Sequence, residues 1–108
     1  MFVGETRSQQ AKDHNWTWQS GRSTAKYLWD ALKAVGIEPT EQEFTNLWSD
    51  DGELQPIQSE LKVVAMGRTV QNKLNELGVK HIDIVHPAAR GIYKRKEVYS
   101  SHLREKLT

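Results

Sequence analysis

His81-Ile82-Asp83-Ile84-Val85-His86-Pro87-Ala88-Ala89-Arg90-Gly91 joins two kinds of chain. The first half alternates around β-branched residues, the pattern of a strand in a core. The second half is a loop, because Pro87 has no N–H for a ladder and turns His86 away from helix. In a chain of alternating strands and helices, a histidine at such a junction stands on the edge where these folds keep their ligands. A histidine so placed is more often a surface or capped residue than a functional one, so its meaning rests on the rest of the chain.

Working outward, Leu61 to Met66 is a mostly continuous apolar run, which suits a buried parallel strand. Gly67 ends it, and Arg68 to Leu77 follows as a helix with Val70, Leu74 and Leu77 facing inward; Gly78 stops that helix. The same grammar occurs earlier. Ser23 to Val35 places Ala25, Leu28, Leu32 and Val35 on one helical face, and Gly36 stops it. Glu43 to Trp48 alternates as a strand, and Ser49-Asp50-Asp51-Gly52 is a turn. Phe2-Val3-Gly4 is a first short strand. Tyr93 to Leu107 closes the chain as a helix, with Tyr99, Leu103 and Leu107 four apart. The fold expected is a three-layer α/β/α sandwich, with a four-stranded, mainly parallel sheet flanked by three helices. The loops after the strands then share one edge, where carboxylates, a histidine and arginines converge.

Glu5 to Arg22 is polar and without apolar periodicity, and the expectation is a loop. It nevertheless carries Trp16 and Trp18, which a disordered segment rarely does. This loop is expected to fold across the sheet edge with at least one indole facing a pocket.

The 108 residues allow one domain, 1–108, with a single modest core. The absence of cysteine excludes disulfides, thiolate metal sites and iron–sulfur clusters. No apolar run reaches membrane-spanning length and the start lacks a signal-peptide layout, so a cytoplasmic protein without membrane partners is expected. The net charge of +1 hides an asymmetry: residues 1–60 hold 5 Lys/Arg and 10 Asp/Glu, and residues 61–108 hold 10 and 4. A basic C-terminal half can meet phosphates, although a dipolar pattern also serves solubility and internal pairing.

Four short motifs lie in register along this frame. Gly4-Glu5 follows the first strand, Thr45-Asn46-Leu47 lies on the second, Val64-Ala65-Met66-Gly67-Arg68 on the third, and His86-Pro87-Ala88 follows the fourth. Together with the Gly21-Arg22 turn into a helix ending Val35-Gly36-Ile37, they resemble the uracil-DNA glycosylase superfamily. The branch most resembled has a Gly-Glu first motif and a His-Pro-Ser second motif. That resemblance implies base flipping and cleavage of the bond between base and sugar, without metal or cofactor. It implies Glu5 and His86 as the catalytic pair, Glu5 stabilising the cationic sugar or orienting the attacking water and His86 donating to the departing base oxygen. It implies Asn46 as the reader of the base edge, since an amide offers donor and acceptor, and Trp16 or Trp18 as the stacking platform. It implies that Arg90 with Ile92 or Tyr93 enters the gap left in the duplex. Basic residues at or just after loops on the proposed edge, Arg68, Arg90, Lys94, Arg95 and Lys96, are expected, with Tyr93, to carry binding to single- or double-stranded DNA.

The chain also departs from that branch. Thr6-Arg7-Ser8 stands where Ala-Pro-Gly is usual, Ala88 replaces the serine, and no cluster cysteines are present. A second expectation from another class is therefore a catalytically silent module of the same fold, binding nucleic acid, nucleotide or a protein partner.

Overall fold

The computed structural model describes residues 1–58 and 60–108. Four three-residue strands form its sheet: β1 (Phe2–Gly4), β2 (Phe44–Asn46), β3 (Val64–Met66) and β4 (Ile82–Ile84). Their spatial order is β2-β1-β3-β4 and every pairing is parallel. Phe2 aligns with Phe44 and Val64, and Val64 aligns with Ile82. All strand C-termini therefore leave the sheet on one edge.

Strand periodicity divides the core into two layers. Phe2, Phe44, Val64, Met66 and Ile84 pack with Leu28, Leu32, Tyr99 and Leu103 on one face. Val3 and Ala65, which alternate with them, pack with Leu47, Val63, Val70 and Leu74 on the other. Helices α2 (Thr24–Ala34) and α4 (Lys96–Leu107) thus cover the first face and α3 (Arg68–Glu76) the second. This is a three-layer α/β/α sandwich. Among the described residues, no helix is long and apolar enough to cross a membrane.

Helix ends follow the glycines. Gly36 sits at φ 82°, its N–H bonds Lys33 O at 3.1 Å, and Ile37 N–H bonds Leu32 O at 2.9 Å. Gly78 repeats the arrangement at φ 71°, with Val79 N–H on Leu74 O at 3.0 Å. Both close the last turn and return an apolar residue over it.

Several expectations are corrected. The 5–22 segment is not a plain loop: it contains a helix, α1 (Gln9–His14), and a 3₁₀ turn, Trp18–Ser20. The described residues thus form four α-helices, of which α2, α3 and α4 flank the sheet as expected and α1, with no buried residue, does not. Ser8 caps α1 by accepting Ala11 N–H at 3.2 Å, and Asn15 ends it in the left-handed region at φ 54°. The final helix is broken: Gly91–Lys94 forms a 3₁₀ turn, Arg95 is extended, and α4 begins only at Lys96. The strands expected over 43–48 and 61–66 shrink to three residues each, and β4 takes only Ile82–Ile84 from the first half of the 81–91 stretch. Leu77, expected to face inward, is 43 % exposed, because it lies past the last turn of α3.

Candidate functional site: an aromatic-walled pocket at the sheet edge

Gly4 and Asn46 end adjacent strands in register, and His86 follows β4 on the same edge. Above them the 5–22 segment and the start of α2 enclose a cavity of about 200 Å³. Trp16, Trp18, Asn46, His86 and Ala88 all line it, with Thr6 and Arg7 from the loop after β1. A volume below the roughly 300–1,000 Å³ of drug-sized sites suits a small heterocycle.

The polar groups in this pocket are held in fixed orientations. The Trp18 indole N–H donates to Asn46 Oδ1 at 2.8 Å. An indole N–H is donor only, so the bond decides which end of the amide is oxygen. The Asn46 NH₂ and the second lone pair of Oδ1 remain available. The Ala88 N–H donates to His86 Nδ1 at 3.0 Å. Nδ1 is therefore unprotonated, and neutral His86 carries its proton on Nε2 as a donor. Burial lowers the His86 pKa below its ordinary value, and the charge of Glu5 opposes that shift. Trp18 meets the imidazole edge-on, with ring centroids 6.3 Å apart.

Two glycines make this closeness possible. A Cβ on Gly4 would lie 2.8 Å from Asn46 Oδ1 and 2.9 Å from Trp18 Cζ2. Gly67, at φ 94°, lets the chain after β3 pass close to His86, whose Cβ would stand 3.3 Å from an added methyl.

Arg7 ties the outer wall down. Its guanidinium grips Asp50 with two hydrogen bonds, one from Nε at 3.1 Å and a shorter one from Nη2. Nη1 also donates to Asn15 Oδ1 at 3.2 Å and to the Trp16 carbonyl at 3.1 Å. The ion pair holds the Asp50 carboxyl below its usual pKa. His14 stacks on Trp16 at 4.4 Å from outside. Thr6 and Arg7 lie on the loop after β1 that the strand order already placed on this edge, whereas the α2 start was not legible as part of the pocket. The small helix between them was signalled by Ser8 and Asn15, a capping residue and a left-handed stop on either side of it.

The remaining expected site residues lie around rather than inside the cavity. Glu5 is exposed at the end of β1 and is not part of the wall, although its charge reaches His86. Arg68 lines a second, more open cleft on the other side of His86. Arg90 and Lys94 are exposed. Arg95 pairs with Glu97 at 3.0 Å, and Lys96 pairs with Asp30 at 3.0 Å. Tyr93 is half-buried, its carbonyl accepting the Tyr27 hydroxyl and its ring 5.3 Å from His102. Ile92, by contrast, is 63 % exposed. Among the described residues there is no cluster of three His, Asp or Glu able to hold a metal ion. No protein-family model, curated protein or solved structure matches this chain.

Proposed function

We propose that this pocket receives a single carbonyl-bearing base extruded from DNA, and that the chain cleaves the base from its sugar. The observation that carries the reading is a pair of oriented polar groups, Asn46 and neutral His86, in a small cavity walled by Trp16 and Trp18. Flat aromatic walls favour a planar ring by stacking. The Asn46 amide offers a donor and an acceptor to the edge of a uracil-like base.

In the reaction, the electron pair of the bond from C1′ to the base nitrogen leaves with the base. The sugar becomes oxocarbenium-like and the base an anion, its charge shared with the carbonyl oxygen beside that nitrogen. His86 Nε2–H supplies a preset donor to this oxygen, and its hydrogen bond strengthens as charge grows there. Glu5, at the rim, offsets positive charge on the sugar, and water then adds to C1′ with loss of a proton.

A second reading is a binding module that keeps the base pocket without the cleavage step. Glu5 standing outside the wall is the observation that favours it. One experiment separates the two: incubation with single- and double-stranded DNA containing uracil, hypoxanthine or xanthine, followed by detection of abasic sites. Base release from one of these supports the glycosylase. Tryptophan quenching on binding, with no base released from any substrate, overturns it in favour of the module.

A further inference from the structure

Val85 lies between β4 and His86, and both of its main-chain groups are held by side chains from α4. Its N–H donates to His102 Nε2 at 2.9 Å, and its carbonyl accepts the Tyr99 hydroxyl at 2.7 Å. Tyr99 and His102 are three residues apart and so share one face of α4. Tyr99 is completely buried in the core, so packing fixes where its hydroxyl points. Burial also pushes its phenol far above the ordinary pKa, keeping it a donor. His102 sits between the rings of Tyr93, at 5.3 Å, and Tyr99, at 6.1 Å. Since an amide N–H can only donate, His102 Nε2 must be unprotonated, which leaves the proton of a neutral ring on Nδ1.

We propose that Tyr99 and His102 are positioning residues: together they lock the Val85 peptide, which sets the place of His86 in the pocket, and protonation of His102 opens the lock. The functional half of this statement rests on the base-pocket reading. The lock itself does not. A protonated His102 would turn an N–H toward the Val85 N–H, replacing attraction with repulsion. The charged and titratable groups around it come from four elements. Glu105 and Lys106 flank it on α4, and Tyr93 comes from the preceding turn. Across a cleft of about 410 Å³ stand Arg68 of α3, Asp83 of β4 and His86 itself. Burial and then Lys106 hold the His102 pKa below its ordinary value, against the opposing pull of Glu105. The lock is thus closed at neutral pH and opens as pH falls below 6.5, the ordinary histidine value, because opening takes up a proton.

The test uses the full chain labelled with nitrogen-15. Long-range histidine spectra at neutral pH are expected to show His102 as the Nδ1–H tautomer; an Nε2–H tautomer overturns the proposal. In His102→Ala, Val85 amide exchange is expected to quicken roughly five- to tenfold, the loss of about one net hydrogen bond. In His102→Gln, the side-chain oxygen can accept the same N–H and does not titrate. That variant should restore slow exchange and remove the loss of protection, read against the intrinsic rate at each pH, that is expected of the parent on acidification. Reading the Val85 amide rather than His86 keeps the titration of His86 itself out of the comparison. Unchanged exchange in His102→Ala, or an acid response in His102→Gln equal to the parent's, overturns the proposal. If His102→Ala does not fold, Tyr99→Phe, which keeps the ring and removes the second hydrogen bond, should displace the His86 ring signals, and unmoved signals count against the lock. None of these measurements needs base release, so a failed cleavage assay leaves the lock standing.

Discussion

The only polar hydrogen of the Trp18 indole is committed to Asn46 Oδ1, and that commitment gives the amide a direction. Asn46→Asp replaces a donor–acceptor pair with acceptors alone, so it is expected to change which base is accepted, measured as kcat/KM across the modified substrates. Trp18→Phe keeps a stacking ring and frees the amide to turn over; discrimination between bases should fall more than turnover on the best one. His86→Ala is expected to lower turnover by about 10²–10³ with little loss of binding, since its donor acts on charge that develops in the transition state. His86 and Trp18 were legible in the sequence as candidates, the one at a strand-to-loop junction and the other as a large indole in a polar segment, whereas Asn46 was named only through the family resemblance. The mutual orientation of the three was not legible, because Trp18 and Asn46 are 28 positions apart and meet only through the fold. Nor was the role of Gly4, whose missing side chain leaves the room in which that indole and that amide meet.

α1 shows what periodicity misses and why. The helix has no buried residue, so it carries no apolar stripe to read. It forms because Ser8 caps its start, Asn15 closes its end and Arg7 binds Asn15 and the Trp16 carbonyl from below. Ser8→Ala should therefore cost about 1 kcal/mol locally, seen as faster exchange of the Lys12, Asn15 and Trp16 amides with little change in the global melting temperature. α2 is the opposite case. Its stripe of Ala25, Leu28 and Leu32 is buried, and the same stripe is plain in the sequence. The break before α4 is hidden from periodicity for a third reason. Gly91 at φ 80° starts a separate turn whose Tyr93 packs on the core, so apolar spacing runs on through a kink.

Over the whole molecule, the basic half of the sequence does not present its charge evenly. Arg95 and Lys96 face Glu97 and Asp30, whereas Arg68, Arg90 and Lys94 make no ion pair among the described residues. On the proposed base-pocket reading, reversing Arg90 and Lys94 is therefore expected to weaken DNA binding more than reversing Arg95 and Lys96. Removing one phosphate partner should reduce the steepness of log affinity against log salt by about 0.9 on duplex, and equal effects from the two pairs would refute the distinction. The sheet order has a further consequence, for the order of events in folding. β1 lies between β2 and β3, so Phe2 meets Phe44 and Val64, and Val64 meets Ile82, across gaps of 42, 62 and 18 residues. Since every pairing in the sheet is parallel and none is a hairpin, each must first close a loop, and loop entropy is lost before a ladder bond repays it. Until residues near Val64 arrive, Phe2 and Val3 have only one of their two neighbours. The newly made chain then presents a raw apolar edge to whatever else is nearby, and three-residue strands keep that edge too short to template a stack.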